Sequence, residues 1–338
     1  MGAVTRGPGP APAVAEVRVA VRRLLAEVRP AGVLVACSGG ADSVALAAAT
    51  AVEAPKLTVP AGLVTVDHGL QAGSAERAAA VAELGRRLGL DPVLVRRTEV
   101  GSAGGPEAAA RTARYHALTA AAGDRAVLLG HTLDDQAETV LLGLGRGSGP
   151  RSVAGMRPVD GRWLRPLLGV RRNNTRAACA AEGLPVWDDP HNTDSRFTRA
   201  RLRAEVLPLL EDVLAGGAAA ALARTADLLR ADLDALDELA AAVAATVVNP
   251  PPATVAAAGA VPAAGAVLTV DAVALAAYPA AIRTRVLRGW LRAAGVPPLA
   301  YAQLRAVDAL VADWHGQGPV ALRSGLAARR ASGRLHLA

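Results

Sequence analysis

One segment near the amino terminus restricts the fold more strongly than any other. It spans Val33–Ser43 and reads Val-Leu-Val-Ala-Cys-Ser-Gly-Gly-Ala-Asp-Ser. An apolar run that ends at glycines predicts a buried strand, and the apolar residues Val44–Ala51 that follow predict a helix. Ser38–Ser43 is therefore a strand-to-helix turn.

This turn has the composition of an anion-binding site. Gly39 and Gly40 permit positive φ angles and close approach of a ligand, and the following helix contributes its positive N-terminal end. Ser38 and Ser43 add hydroxyl groups, and Asp42 adds a carboxylate at which Mg²⁺ could sit. The GxxxxGK[ST] loop of kinases and GTPases is excluded, because the only lysine in the chain is Lys56. A simple Gly-Ser turn that caps a helix is the alternative interpretation.

Strand-like and helix-like segments alternate from the first turn to about residue 144. Further strands are predicted at Leu63–Val66, Val93–Val95 and Val127–Leu129, and helices at Val14–Val28, Ser74–Leu88, Glu107–Ala121 and Asp134–Leu144. This alternation predicts an α/β fold with a doubly wound, mainly parallel, Rossmann-like sheet. Ligands of such sheets bind beyond the carboxyl ends of the strands.

The length of 338 residues is enough for two domains. We expect a disordered lead-in over residues 1–13, a first domain over 14–215 and a smaller, mostly helical region over 216–338. Leu222, Leu229, Leu233 and Leu236 share one helix face in that region, and helices are also expected around 282–291 and 301–314. A stretch rich in Ala, Gly and Pro near 248–267 predicts a linker, and the last twenty residues predict small strands.

Arginine dominates the charge of the chain, whose formal net charge is +7. Eight arginines and a single acid, Asp160, lie between Arg146 and Arg176, and four more arginines follow at Arg196, Arg199, Arg201 and Arg203. We expect Arg196, Arg199 and Arg203 to share a helix face. Such a surface suits phosphate contacts with nucleic acid, although an ordinary solvated surface is the alternative.

The two cysteines and the hydropathy pattern bear on location. Cys37 and Cys179 form no metal-binding or redox motif, so a reducing, cytoplasmic location is the simplest expectation. Apolar runs long enough to span a bilayer are absent from the sequence, so no membrane association is expected.

Several motifs together carry a resemblance to a known family. In chain order these motifs are Ser38–Ser43, Asp67-His68-Gly69-Leu70, 110–115, 130–139, 146–149, Gly155-Met156 and 190–203. In this order they resemble tRNA(Ile)-lysidine synthetase, a PP-loop ATP pyrophosphatase. The resemblance is dense over roughly residues 30–215 and looser beyond.

The resemblance implies one reaction. ATP adenylates the C2 oxygen of the wobble cytidine in the anticodon loop of tRNA(Ile) with a CAU anticodon, and the ε-amine of free L-lysine then displaces AMP to give lysidine. ATP is the co-substrate and Mg²⁺ the expected metal, and the serine-glycine loop holds the departing pyrophosphate. Positive dipoles and Mg²⁺ would stabilise the charge that develops on the phosphates.

The resemblance also assigns residues to roles. The expected catalytic residues are Asp42, His131, Arg111 and Arg146. The expected nucleotide-binding residues are Ser38, Gly39, Gly40, Ala41, Asp42, Ser43, Asp67, His68 and Arg114, with Asp42 also at the metal. The i,i+3 pair Asp135 and Glu138 is expected to bind lysine, with Asp134 as second choice. Arg196, Arg199, Arg201 and Arg203 are expected to contact tRNA.

Less specific interpretations remain for some of these residues. Asp134 is also a typical acid at a helix N-terminus, His68 has an equally plausible packing role, and Arg111 can pair with Glu107 on its own helix.

Two rival functions are also considered for the whole chain. One is another PP-loop enzyme that modifies tRNA or forms amides, and the other is an RNA-binding protein whose nucleotide site only gates binding. A thiolase would need catalytic or cluster-binding cysteines in a motif that this sequence lacks. The sequence leaves a homodimer open.

Overall fold

The computed structural model describes residues 9–67, 69, 73–98, 106–147, 149–188, 194, 196–249 and 268–338. Its contacts divide the chain into two units, Met1–Leu229 and Arg230–Ala338, whereas the sequence prediction put the boundary after residue 215. Residues 1–8 of the expected lead-in and 250–267 of the expected linker lie outside the described residues. The first helix begins at Pro12, inside the expected lead-in.

Within the described residues, the first unit is built on a six-stranded sheet with strand order β3-β2-β1-β4-β6-β5. The strands are β1 (Val33–Ala36), β2 (Ala61–Asp67), β3 (Val93–Arg97), β4 (Ala126–Leu129), β5 (Val159–Asp160) and β6 (Trp163–Leu164). All neighbouring pairs are parallel except β5 and β6. The predicted mainly parallel sheet is confirmed.

Helices cover both faces of this sheet. They are α1 (Pro12–Val28), α2 (Ala41–Glu53), α3 (Ser74–Arg87), α4 (Pro106–Ala122), α5 (Leu133–Gly145), α6 (Pro150–Val153), α7 (Arg172–Ala181), α8 (Thr198–Arg201) and α9 (Leu207–Val213). Because side chains alternate along a strand, Val33 and Val35 of β1 face the core that contains α1, α2 and α7. Leu34 and Ala36 face a second core with Leu118 of α4. The doubly wound arrangement is confirmed.

Two elements of the first unit lie in the arginine-rich stretch, for which the sequence predicted only a basic surface. The short hairpin of β5 and β6 turns at Gly161 with φ +58° and adds the antiparallel edge of the sheet. Helix α7 packs against α1 and α2 through Ala178 and Cys179. Strands of two residues carry almost no periodic signal, so local sequence could not indicate them.

The second unit combines helices with a five-stranded antiparallel sheet, counted over its described residues, of order β7-β8-β11-β10-β9. The strands are β7 (Val248–Asn249), β8 (Thr269–Asp271), β9 (Val320–Ala321), β10 (Ala327–Ala331) and β11 (Arg334–Leu337). The helices are α10 (Ala218–Val247), which begins in the first unit, α11 (Ala272–Ala276), α12 (Ala280–Ala293) and α13 (Tyr301–Ala312). Leu287, Trp290 and Leu310 centre its core. The sequence predicted small strands only in the last twenty residues. These strands, β9, β10 and β11, form one sheet with β7 and β8, which the sequence did not predict.

In the described part of the chain, a membrane-spanning length of apolar residues is found in no single helix. The bent pair Thr198–Val213 and Ala218–Val247 meets the criteria by length and composition alone.

Candidate active site

The loop between β1 and α2 is held by the hydroxyl group of Ser43. This hydroxyl donates to Gly40 O at 2.9 Å and accepts from the Ser38 N–H at 3.1 Å. Gly39 has φ +89°, a backbone conformation that residues other than glycine rarely adopt. At the start of α2, Gly40 is the N-cap residue and has no side-chain capping hydrogen bond. Helix N–H groups that no side chain caps are suited to an anion.

A tryptophan that the sequence reasoning missed fixes the other side of this loop. The backbone N–H of Trp187 donates to Gly39 O at 2.9 Å. The guanidinium of Arg77, on α3, lies over the Trp187 ring at 4.3 Å from its centroid, a distance typical of a cation–π contact. The segment after α7 therefore orients the Gly39 peptide.

The end of β4 lies directly against the first turn of α2. A Cβ atom at Gly130 would lie 3.1 Å from backbone atoms of Asp42 and Ser43, so any other residue there would require this backbone to move by a few tenths of an ångström. The motif that begins at Gly130 is thereby placed beside the Ser38–Ser43 loop. The sequence predicted this proximity only in the sense that both segments follow parallel strands.

His131 follows at this junction as a neutral imidazole. Burial lowers its pKa to about 3; the nearby Asp135 opposes this effect, while Arg114, Arg165 and Arg111 reinforce it. Its Nδ1 atom is buried without a hydrogen-bond partner among the described residues. A buried polar atom of this kind is expected to meet a ligand or a water molecule.

The N-terminus of α5 uses Thr132 and Asp135 to form a capping box. The Thr132 N–H and hydroxyl donate to Asp135 Oδ2 at 2.8 and 2.9 Å. Asp135 Oδ1 instead accepts from Arg172 at 2.5 Å. Burial alone would raise the pKa of Asp135, but the Arg172 charge, the Thr132 N–H and the Arg203 charge outweigh it, so the pKa is lowered. Asp135 is therefore a carboxylate with one oxygen structural and the other directed to the site.

Asp134 connects α5 to α7. Its Oδ2 accepts from the Arg172 backbone N–H at 2.7 Å, and its Oδ1 lies 3.1 Å from the Arg171 guanidinium. Both oxygens of this second-choice lysine ligand are thus in contact with α7.

Glu138 is fully buried, with 0% of its side chain exposed, yet it is surrounded by arginine. Arg203 Nε donates to Oε1 at 2.9 Å, Arg172 lies 3.4 Å from the same oxygen, and Arg199 lies 3.9 Å from Oε2. A carboxylate removed from water is tolerated only when cations and hydrogen bonds compensate it.

Arg172, at the start of α7, links the two halves of the site. Its guanidinium contacts Asp135 and Glu138, and its Nε lies 3.5 Å from Asp42 Oδ2. Burial would lower the pKa of Arg172, but these carboxylates and Asp134 raise it, so the guanidinium stays charged. In the sequence Arg172 was only one of eight arginines, and no local pattern distinguishes it from Arg171 or Arg176.

Asp42 is further held by Thr175, one turn along α7, whose hydroxyl donates to Asp42 Oδ1. Burial raises the pKa of Asp42 and the Asp135 charge adds to this, while Thr175 and Arg172 act in the opposite direction. The described residues contain no group of three or more His, Cys, Asp or Glu side chains placed to hold a metal ion. Asp42 therefore fits a metal only if other ligands come from a substrate, as phosphates do for Mg²⁺.

The remaining expected nucleotide and catalytic residues are distributed around this centre. Asp67 ends β2, is buried, and accepts from the Gly69 N–H at 2.9 Å, whereas His68 lies outside the described residues. On α4, exposed Arg111 lies over the Tyr115 ring. Burial lowers the pKa of Arg114, which pairs with no carboxylate in the described part of the chain.

Arg146, the last of the expected catalytic residues, is exposed at the C-terminal end of α5.

The four arginines expected to contact tRNA fall into two groups. Arg196 and Arg201 are exposed and pair with Asp194 and Glu205 at 2.7 and 2.8 Å. Arg199 and Arg203 instead turn toward Glu138. The expectation of a helix face shared with Arg196 is wrong, because α8 begins only at Thr198.

Comparison with known proteins identifies relatives for both units. The family model described as "PP-loop domain" matches residues 14–210, and the model described as "TilS substrate binding domain" matches residues 271–336. The tRNA(Ile)-lysidine synthase of Thermobifida fusca is 53% identical over 334 residues, covering 97% of this chain and 98% of the relative. That of Streptomyces coelicolor is 50% identical over 362 residues, covering 97% and 98%.

A solved structure shares the fold at lower similarity. The U34-tRNA thiolase NcsA from Methanococcus maripaludis has 16% sequence identity and a TM-score of 0.52, covering 64% of this chain and 80% of the thiolase. This likeness concerns the fold alone.

Proposed function

The chain belongs to the tRNA(Ile)-lysidine synthase family, and from that premise we propose that it ligates lysine to C2 of the wobble cytidine of tRNA(Ile) with a CAU anticodon. In the first step the C2 oxygen attacks the α-phosphorus of ATP, and pyrophosphate leaves. In the second step the lysine ε-amine attacks C2, the C–O bond breaks, AMP leaves, and the nitrogen loses a proton.

The observation that carries this proposal is the shared contact of Arg172 with Asp42, Asp135 and Glu138. The phosphate-loop carboxylate and the two acids of α5 lie within reach of one guanidinium. Because these three carboxylates contact the same side chain, an activated base and an amine bound to them would lie close together. Proximity is a large part of the catalytic advantage in a two-substrate reaction.

We assign the phosphates to the Ser38–Ser43 loop. Its backbone N–H groups and the uncapped start of α2 suit the departing pyrophosphate. Asp42, held by Thr175, would be the protein ligand of Mg²⁺. Magnesium would neutralise the charge that develops on the phosphates.

We assign the lysine side chain to Asp135 and Glu138, with Asp134 as second choice because both of its oxygens already contact α7. An ammonium group beside these carboxylates is attracted by their charge, and it must lose a proton before it can attack. A neutral His131 is suited to hydrogen bonding with the adenylate or to a part in that proton transfer.

The other groups complete the adenylate site in this proposal. Arg114 is a half-buried cation without a carboxylate partner among the described residues, which suits the α-phosphate, and Arg111 lies one turn away on the same helix. Asp67 and His68 would contact the adenosine, and Arg146 would approach the reacting centre.

The RNA is assigned to arginines and to the second unit. Exposed Arg196 and Arg201 would contact the phosphate backbone, while Arg199 and Arg203 would act at the border between RNA and lysine. We also propose a cytoplasmic enzyme without membrane association and leave a homodimer as its candidate assembly. Sulfur chemistry like that of a thiolase is disfavoured, because Cys37 and Cys179 are buried and burial raises the pKa of both thiols.

Incorporation of radiolabelled lysine tests the proposal directly. Purified protein with ATP, Mg²⁺, lysine and tRNA(Ile) bearing a CAU anticodon should label the tRNA and release AMP and pyrophosphate. Omission of ATP or lysine, or use of a tRNA with another anticodon, should abolish labelling. Absence of label in the complete mixture would refute the assignment.

A further inference from the structure

Arg172 contacts both the residue assigned to the phosphates and the residues assigned to lysine. We propose that Arg172 is a positioning residue that couples nucleotide binding to lysine binding, by moving from the carboxylates of Asp135 and Glu138 to the phosphates of ATP. This inference rests on the proposed function, because it takes Asp135 and Glu138 as the lysine ligands.

Arg172 and a bound lysine ammonium would use the same carboxylate oxygen. Arg172 Nη2 donates to Asp135 Oδ1 at 2.5 Å and lies 3.4 Å from Glu138 Oε1. The other Asp135 oxygen is used by the Thr132 cap. A lysine ammonium at this pair therefore competes with Arg172 for the same oxygen of Asp135.

The charges of the cluster lead to the same conclusion. At the two acids assigned to lysine, guanidinium groups outnumber carboxylates, because Arg172, Arg199 and Arg203 contact Asp135 or Glu138. Another cation added to this partly buried cluster meets repulsion unless one guanidinium finds a new anion. The phosphates of ATP would supply that anion on the Asp42 side.

The geometry selects Arg172 as the side chain that moves. Its Nε already lies 3.5 Å from Asp42 Oδ2, next to the phosphate loop. Its backbone is fixed by the N–H bond to Asp134 at 2.7 Å, so only the side chain needs to rotate. Arg203 contacts Asp135 and Glu138 as well, but among the described residues it forms no ion pair with Asp42.

A thermodynamic consequence follows. If ATP draws Arg172 away from the acids, ATP strengthens lysine binding, and lysine must strengthen ATP binding by the same factor. Couplings of this kind typically amount to about 5-fold to 150-fold in affinity. The enzyme would then bind lysine more tightly when nucleotide is present, which favours entry of the amine once activation is possible.

The test measures lysine affinity by calorimetry, with and without Mg²⁺ and α,β-methylene-ATP, which cannot be split between the α and β phosphates. In the wild-type protein we expect the nucleotide to tighten lysine binding at least about fivefold, and lysine to tighten nucleotide binding equally. Equal lysine affinity in both conditions would overturn the coupling while leaving lysine as the substrate. Absence of lysine binding in both, together with unlabelled tRNA, would instead refute the proposed function and this inference with it.

Variants identify the side chain responsible. In Arg172→Gln we expect lysine affinity to become independent of nucleotide, within about twofold, because the competing cation is removed. Arg176→Gln is the matched control one turn along α7, where Arg176 pairs with exposed Asp188, and it should keep the wild-type coupling. Arg203→Gln should change lysine affinity by the same factor with and without nucleotide.

Two results would exclude Arg172 as the coupling residue. Wild-type coupling in folded Arg172→Gln is one of them. If that variant fails to fold by circular dichroism, Arg172→Lys decides, because its ammonium group keeps the charge but lacks the separate guanidinium nitrogens with which Arg172 reaches Asp42 and Asp135 together. We expect the coupling factor of Arg172→Lys to fall at least about threefold, and an unchanged factor would overturn the proposal.

Discussion

Gln136 and Met156 are joined by two hydrogen bonds between a side-chain amide and a backbone. The Met156 N–H donates to Gln136 Oε1 at 2.7 Å, and Gln136 Nε2 donates to Met156 O at 2.9 Å. Gln136 is buried in α5, next to the acids of the site. Gly155 has φ +65°, and a Cβ atom there would lie 2.6 Å from Gln136 Oε1. The Gly155-Met156 motif is thus explained as the docking point of the loop after α6.

Replacement of this amide should destabilise the first unit. Gln136→Leu removes both hydrogen bonds to the Met156 backbone, and we expect a loss of about 2 kcal/mol or more in the free energy of unfolding. Urea unfolding followed by circular dichroism measures this loss. Gln303→Leu is the control, because Gln303 accepts one long bond of 3.4 Å from Ala300 N, and it should cost less than about 1 kcal/mol. Equal effects of the two substitutions would contradict the role of the amide pair.

The approach of β4 to α2 predicts the effect of a methyl group at Gly130. In Gly130→Ala the new Cβ meets the Asp42 and Ser43 backbone at 3.1 Å, so the phosphate loop must shift. We expect ATP affinity, measured by calorimetry, to fall about tenfold or more. Gly145→Ala, at the end of α5 with open space around it, should keep wild-type affinity and gain up to about 1 kcal/mol of stability. Unchanged ATP binding in Gly130→Ala would argue against close packing at the loop.

Thr175 predicts a difference between two small substitutions. Thr175→Val keeps the shape of the buried side chain but removes the hydroxyl that donates to Asp42. A hydrogen bond to a charged group is worth about 1.5–3 kcal/mol, so the rate of adenylated tRNA formation should fall about 10-fold to 100-fold. Thr175→Ser retains the hydroxyl and should retain most of this rate. Similar rates for both variants in single-turnover assays would exclude the hydroxyl as the orienting group.

His131 makes stability depend on pH in a defined direction. Its pKa of about 3 in the folded protein lies below the value of 6.5 for an unperturbed histidine. Between these values the unfolded chain binds the additional proton, so the stabilisation is complete above about pH 6.5 and is lost as pH falls toward 3. This one group contributes a slope of at most about 1.4 kcal/mol per pH unit.

Substitution isolates this contribution. His131→Asn removes the titrating group, so its unfolding free energy should decline less steeply than that of the wild type between pH 6.5 and 4.5. Parallel pH profiles for His131→Asn and the wild type would show that His131 titrates normally.

The two groups of arginines predict different salt dependences of tRNA binding. Arg196→Ala and Arg201→Ala should each weaken tRNA binding and reduce the slope of log K against log salt by about 0.7–1, because each removes one phosphate contact. Arg86→Ala is the matched control, since Arg86 is exposed and pairs with Glu83 on α3. If the salt slopes of Arg196→Ala and Arg201→Ala equal the wild-type slope, Arg196 and Arg201 belong to an ordinary solvated surface and do not contact the RNA.

Much of the first unit follows from local sequence. The predicted strands at Leu63–Val66 and Val127–Leu129 lie within β2 and β4, and the predicted helix Asp134–Leu144 lies within α5. Periodicity of apolar residues sets these elements because burial of one face stabilises each of them. The fold of the second unit was less accessible, since the two-residue strands β7 and β9 have no measurable period.

Sequence alone determined the alternation of strands and helices, the glycine turn after β1, and the i,i+3 spacing of Asp135 and Glu138. These depend on residues close together in the chain. Only the tertiary structure selected Arg172 from eight arginines and joined Thr175 to Asp42 across 133 residues. Spacing defines the face on which a side chain lies, whereas the packing of α7 against α1 and α2 decides which carboxylates it meets.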